Sequence, residues 1–256
     1  MTSLTQLKDR HALVTGGSTG IGAAIAAELA RNGTHLVLVA RDARQLEVTA
    51  ADLQTRFGVA VLTIAVDLAE PGAVAHVLEA VEDAGIEIEL LVNSAGMSSR
   101  GFVADSDPVV LRRLVELNVG ALTELTASVV AGMVERGRGA IVNVASTGAY
   151  APAPVLAAYA ASKAYVLSFT QALWAETRDA GVRVVAVSPG PTRTPMNSSQ
   201  RKGMRQPAQV ARTVLRALEG AGPAVVDGAA NAVTVAAIRL LPARVITAIA
   251  RRAMGA

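Results

Sequence analysis

The most specific chemistry in this sequence lies in the run Tyr159-Ala160-Ala161-Ser162-Lys163. Positions four apart share one helix face, so phenol and ammonium can project into the same cleft. A cation beside a phenol favours phenolate and draws its pKa down from about 10. Such a tyrosine can act as general acid toward a forming alkoxide, and as general base in reverse. Ser146 stands thirteen residues ahead of Tyr159, and its hydroxyl can donate to the same carbonyl oxygen. No metal is required. A lone Tyr-x-x-x-Lys is common on helix surfaces, but lysine is scarce here. Only Lys8, Lys163 and Lys202 occur among 24 basic residues, so position 163 keeps a compact cation in a chain that otherwise uses arginine. Tyr150 and Tyr165 compete poorly, with Pro154 and Phe169 four residues on. Tyr150 is expected near the substrate mouth and Tyr165 in packing.

A second cluster suits a nucleotide. Thr15-Gly16-Gly17-Ser18-Thr19-Gly20-Ile21-Gly22 has the spacing G-x-x-x-G-x-G. Glycines there allow a tight turn and close approach of backbone to a pyrophosphate, and the helix that follows offers free N–H groups. A ligand-free strand-to-helix turn is the alternative. Arg41-Asp42 falls where an acid would hold ribose hydroxyls or an arginine would accept a 2′-phosphate. Arg41 comes first and points to NADP over NAD, while Asp42 has a second use as a helix cap. Asp67-Leu68, Asn93-Ser94-Ala95-Gly96 and Ser188-Pro189-Gly190-Pro191-Thr192-Arg193-Thr194 complete the series. Asp67 alone reads equally as an acid at a helix start. Asn118 sits inside a long helical stretch, where asparagine is a mediocre former.

The elements that must position these residues alternate. Short β-branched runs at 12–15, 35–40, 59–66, 89–93, 139–145, 183–188 and, weakly, 224–226 predict strands. Helices are predicted over 21–32, 43–57, 71–84, 108–136, 158–179 and 207–219, with Gly33, Gly58, Gly85, Gly137 and Gly181 at five of their ends. Most strand runs are continuously apolar, as strands buried on both faces are. This order predicts an α/β fold, a Rossmann-type doubly wound parallel sheet of about seven strands with helices on both faces. Ligands bind beyond the carboxyl ends of such strands, which is where every motif above falls.

The motifs, in this order, resemble the short-chain dehydrogenase/reductase family over about residues 7–220. Its nucleotide turn is T-G-x-x-x-G-[IL]-G and its catalytic spacing S-x12-Y-x3-K. The resemblance implies cofactor contacts from Thr15, Gly16, Ser18, Thr19, Gly20, Ile21, Gly22 and Arg41. It further implies contacts from Asp67, Leu68, Asn93, Ala95, Gly96, Tyr159, Lys163, Pro189, Gly190 and either Thr192 or Thr194. Ser94 stands where the family more often has a second asparagine. Arginine at position 41 goes with NADP in this family. The resemblance also implies catalysis by Tyr159, Lys163 and Ser146, with Asn118 disturbing its helix and holding a water of the proton relay. The expected function is hydride transfer between NADP(H) and a carbonyl or secondary alcohol, of the ketone or acyl reductase type. The alternative is a catalytically silent NADP(H)-binding sensor or scaffold.

Composition narrows the field. Of 256 residues, 52% are hydrophobic and 18% charged, enough to bury roughly three quarters of the unfolded surface. Absent cysteine removes disulfides and thiolate chemistry and fits a cytoplasmic protein. Three scattered histidines do not suit zinc. No signal peptide is visible in the polar first ten residues, and no uninterrupted apolar run reaches spanning length. Aromatic residues at 3% are poor material for nucleic-acid stacking. Residues 193–256 hold ten basic residues against two acidic ones, a net +8, while residues 1–192 hold 14 against 19, a net −5. The reading is one catalytic domain over 1–228 with a short basic lid near 195–206, then a basic amphipathic extension over 229–256. Arg201, Lys202 and Arg205 of the lid can attract a carboxylate or a coenzyme A phosphate, or merely solubilise it. Within the extension, two helical pieces broken at Pro242 suit a membrane surface, a partner or, most simply, packing on the protein's own fold. The partners expected are a small carbonyl or alcohol substrate, no nucleic acid, and a second copy through helices 108–136 and 158–179. That second copy would give a homodimer or homotetramer.

Overall fold

Seven strands form one sheet in the order β3-β2-β1-β4-β5-β6-β7, every neighbouring pair parallel. They are β1 (His11–Thr15), β2 (His35–Ala40), β3 (Val61–Ala65), β4 (Ile88–Asn93), β5 (Gly139–Val144), β6 (Val182–Ser188) and β7 (Ala224–Val226). The computed structural model describes residues 4–197 and 203–254. Parallel neighbours need crossovers, and helices supply them on both faces. These are α1 (Gly20–Arg31), α2 (Ala43–Phe57), α3 (Ala73–Asp83), α4 (Pro108–Val115), α5 (Leu122–Arg136), α6 (Ala157–Thr177), α7 (Pro207–Glu219), α8 (Ala229–Ile238) and α9 (Ala243–Met254).

Side chains along each strand alternate between two cores. In β1, Ala12 and Val14 join Ile25 and Leu29 of α1 and Val214 of α7. Leu13 points the other way, to Val77 of α3 and Leu125 of α5. Both faces are covered, which is why the strands read as continuous apolar runs. Asp42 caps α2 by accepting a hydrogen bond from the Gln45 N–H at 3.0 Å. The five glycines expected at helix ends all have left-handed φ between 63° and 80°.

The stretch expected as one helix over 108–136 is three pieces. A π-helical segment, Glu116–Ala121, separates α4 from α5. The stretch Pro108–Arg136 is long and apolar enough to cross a membrane, with a mean hydropathy of 1.4 over its best window, although its apolar run is interrupted. Leu117, Leu125 and Met133 pack one side of it against the sheet core. Beyond β7, α8 lies against β7 and the 3₁₀ turn Thr147–Tyr150. After Pro242, α9 carries exposed Val245 and Ile249. Packing on its own fold therefore describes α8 better than α9.

Candidate active site

The strand order reverses between β1 and β4, and a crevice opens where their following loops diverge. The loops meet at its floor. A Cβ on Gly16, whose φ is +68°, would lie 3.1 Å from the Ala95 backbone. A Cβ on Gly22 would lie 2.2 Å from the Gly16 carbonyl oxygen, so this turn folds only with glycine there. Thr15 spends its hydroxyl on this junction, accepting from the Ser94 and Ala95 N–H groups at 3.0 Å each. Thr19 begins α1 in an extended conformation with no side-chain cap. The first N–H groups of α1 thus have no side chain of Thr19 on them. Ser18 is half-buried, and its carbonyl accepts from Thr49 Oγ1 at 3.0 Å. Ile21 is half-buried and packs against the core beneath.

At the far end, Arg41 is exposed and lies 3.6 Å from Asp67 Oδ2. Asp42 is occupied by its capping bond. Asp67 also accepts from Ala69 N–H at 3.0 Å and from Arg113 at 2.7 Å. Arg113, from α4, is ion-paired with Glu70 as well. Its pKa is raised, first by the hydrogen bond with Glu70 and next by the charge of Asp67. No motif pointed to Arg113; it arrives only through the packing of α4 against the loop after β3. Leu68 is buried in the second core, leaving only its backbone available to a ligand.

At the reacting end, Ser146 follows β5 and Tyr159 and Lys163 share α6. Ser146 Oγ accepts from the Gly148 N–H at 3.1 Å, which leaves its own proton for donation. Tyr159 stands beside Ser146. The lowered Tyr159 pKa expected from the sequence is not found. Burial raises it, and the Ser146 hydroxyl, which draws it down, offsets that only in part. Lys163 is 6% exposed and donates to the Val144 carbonyl at 2.8 Å. Burial brings its pKa down to about 8. A Cβ on Gly96 would lie 3.1 Å from Asn118 Oδ1 and 3.6 Å from Lys163 Nζ, so backbone, amide and ammonium converge.

Three asparagines stabilise the walls. Asn118 accepts from Met97 N–H at 2.8 Å and donates to the Met97 carbonyl at 2.9 Å and to Ser162 Oγ at 3.0 Å. Its side chain therefore fastens the loop after β4 to α6. Asn93 points inside, donating to Asn143 Oδ1 at 2.9 Å and Thr126 Oγ1 at 3.0 Å. Asn143 extends the chain to Thr170 of α6 at 3.0 Å. Asn93, offered as a cofactor contact, thus has its side chain in the wall. Asn143 and Ser162 went unmarked in the sequence because a polar residue within an apolar run carries no spacing signature.

The last loop closes one side. The sequence leaves Thr192 and Thr194 as alternatives. Thr192 is buried and donates to the Gly190 carbonyl at 2.9 Å, whereas the Thr194 methyl lies against Gly20, 3.2 Å from where a Cβ would stand. Thr194 is therefore the one beside the glycine-rich turn. The Pro189 carbonyl accepts from Thr147 N–H at 2.9 Å. Gly190 has no room for a Cβ, which would meet the Asn231 amide at 2.4 Å. Arg205 is not a cation held out to a substrate. It forms a two-pronged pair with buried Asp227 at 2.8 Å per contact. Arg201 and Lys202 lie outside the described residues. Tyr150 contacts Ser188 Oγ at 3.3 Å, and Tyr165 stacks on Phe169 at 5.7 Å. Val155, in the loop before α6, holds φ at 57°, a strained setting for a β-branched residue, and its carbonyl accepts from Gly101 N–H.

A family model described as short chain dehydrogenase matches residues 10–205. The chain belongs to that family. Among short-chain dehydrogenase relatives, an uncharacterised oxidoreductase of Staphylococcus saprophyticus is 32% identical over 219 residues, 84% of this chain and 94% of the relative. The very-long-chain 3-oxoacyl-CoA reductase of Homo sapiens is 37% identical over 183 residues, 70% of this chain, but the match spans only 58% of that longer protein. A short-chain dehydrogenase from Sphingobium yanoikuyae, solved with NADPH, superposes with a TM-score of 0.82 at 35% identity, covering 90% of this chain and 92% of that one.

Proposed function

We propose that this short-chain dehydrogenase passes a hydride between NADP(H) and a carbonyl group, reducing a ketone to a secondary alcohol. The observation that carries the proposal is the adjacent Ser146 and Tyr159 with the buried Lys163 ammonium on the helix that bears Tyr159. The crevice fits the dinucleotide. Gly16 and Gly20 both hold left-handed φ, so the backbone turns tightly against Ala95 and Thr194, and the start of α1 has no side-chain cap. Arg41 stands where a 2′-phosphate would lie. The turn from Gly16 to Gly22, Arg41, Ala95, Gly96, Gly190 and Thr194 would hold NADP(H), with Thr15, Asp67 and Asn93 shaping the loops behind them. When bound, the nicotinamide supplies or accepts the hydride.

The chain's own residues handle the proton. Burial keeps Tyr159 protonated, as an acid must be before the alkoxide forms. Ser146 orients the carbonyl oxygen with the proton that Gly148 leaves it. The charge on Lys163 favours phenolate once Tyr159 has given its proton away. Asn118 holds the Met97 loop and Ser162 in register beside Lys163. The test is an NADPH-oxidation screen over small ketones, steroids, 3-oxoacyl thioesters and quinones, with Tyr159→Phe as control. Turnover that the substitution reduces by roughly a thousandfold or more is expected, in keeping with loss of a general acid and its oriented partner. Undiminished turnover in Tyr159→Phe would refute the mechanism. NADPH binding with no turnover on any panel member would favour the silent sensor.

Three finer readings follow. A lipid-like 3-oxoacyl substrate is supported by the reductase relatives and by the basic character of the chain beyond residue 193. Peripheral contact of the extension with an anionic membrane is supported by the exposed Leu240, Val245 and Ile249 beside Arg239, Arg244, Arg251 and Arg252. No acidic residue occurs from 228 onward. Self-association through α4–α6 is supported by exposed Val110, Val115 and Tyr165 on those helices.

A further inference from the structure

The adenosine end of the crevice sets a problem for the proposed coenzyme. Asp67 lies 3.6 Å from Arg41, the residue offered to the 2′-phosphate. A carboxylate that close competes with the phosphate for the same guanidinium, and adds a negative charge where a dianion must sit. A chain with only Arg41 and Asp67 at this corner would hold them as a closed pair and handicap NADP(H).

Arg113 changes that balance. It reaches the same Asp67 Oδ2 at 2.7 Å, 0.9 Å closer than Arg41, and pairs with Glu70 through its other amino group. The second carboxylate oxygen is taken by the Ala69 N–H at 3.0 Å. Asp67 is thus held from the α4 side, and Arg41 remains 69% exposed. Two arginines and two carboxylates leave the corner neutral, with one guanidinium facing outward.

We infer that Arg113 is a specificity-determining residue: by holding Asp67, it keeps Arg41 available to a 2′-phosphate and sets the preference for NADP(H) over NAD(H). This rests on the proposed NADP(H) reading. Arg113 acts through Asp67 and Arg41 and is a positioning residue. Its effect is selective because NAD(H) has no 2′-phosphate for Arg41 to bind.

The test is direct binding of NADPH and NADH to the full chain by titration calorimetry, alongside thermal melting. Arg113→Gln is expected to weaken NADPH by roughly five- to tenfold, the low end of ordinary coupling energies, and NADH by less than about twofold. Arg113→Lys, which keeps a cation, is expected to stay within about threefold for both. Adding Asp67→Asn to Arg113→Gln removes the carboxylate that would capture Arg41, so most of the lost NADPH affinity should return. Equal losses for the two coenzymes would make Arg113 merely structural and overturn the inference, as would no loss or no rescue. Arg41→Gln separates the two layers. If wild type shows no NADPH preference, or Arg41→Gln does not lower it, the coenzyme reading itself fails. If Arg41→Gln lowers it and Arg113→Gln does not, only the role of Arg113 fails.

Discussion

Lys163 carries two opposed demands in one side chain. Burial lowers its pKa from 10.5 to about 8, so the folded protein binds this proton less readily than the unfolded chain. Between about pH 8 and 10.5 the unfolded state holds more protons, and stability rises with pH across that window. Below pH 8 the folded state bears the whole penalty, on the order of 3 kcal/mol. Lys163→Met should therefore raise the melting temperature of the protein alone at pH 7. The gain should be smaller than the full penalty, because the bond to the Val144 carbonyl is lost. Activity should collapse in the same variant, a trade of function for stability that melting and turnover measure separately. The wild-type pH profile has a matching sign. Carbonyl reduction needs Tyr159 protonated and Lys163 charged, so kcat/KM for reduction should fall above about pH 8, while alcohol oxidation should gain with pH. A reduction rate that climbs through pH 9 would contradict these assignments.

At the scale of elements, the interrupted helix around Asn118 is the informative one. A regular helix over 108–136 satisfies its own backbone, whereas the π segment at Glu116–Ala121 departs from that pattern beside the cleft. Asn118 then clamps both backbone groups of Met97 and reaches Ser162 on α6. Asn118→Ala leaves partly buried polar groups without this partner and should cost roughly 2–4 kcal/mol. For a chain of this length that is a fall in melting temperature of roughly 5–15 °C. Activity should drop too, because the loop holding Gly96 beside Lys163 loses its tie. A variant with unchanged melting would show that Met97 finds water or another partner instead. Gly190 and Asn231 make a similar junction, through which α8 fits against the loop after β6.

For the whole molecule, the charge split acquires an address. Arg205 is consumed by Asp227, which also accepts from Thr213 Oγ1 at 2.6 Å, so part of the +8 segment belongs to the interior. Arg239, Arg244 and Arg252 lie in the same stretch as Leu240, 86% exposed, and as Val245 and Ile249. If α9 rests on an anionic bilayer, flotation with vesicles containing phosphatidylglycerol should capture the full chain. Neutral vesicles should capture far less, and a chain ending before residue 240 should not float. Capture independent of lipid charge, or retained after truncation, would remove this reading. Sedimentation without lipid tests the separate proposal of self-association through α4–α6.

The sequence by itself determined the sheet, the order of its elements and the residue types at the end of each strand. Continuous apolar runs, helix periods and glycine caps are local signals, and the family's spacings add Ser146, Tyr159 and Lys163. Strand and helix limits moved by only a residue or two, because burial on both faces marks a parallel strand clearly. Tertiary structure decided what depends on contacts between distant segments. It placed Arg113 on Asp67, 46 residues away in the chain. It turned Asn93 into the wall and chose Thr194 rather than Thr192 to face the glycine-rich turn. It raised the Tyr159 pKa where charge spacing alone argued for lowering it, because desolvation is a property of the packed surroundings. Residue type and spacing state which chemistry is available, while burial and long-range pairing state which groups are free to perform it.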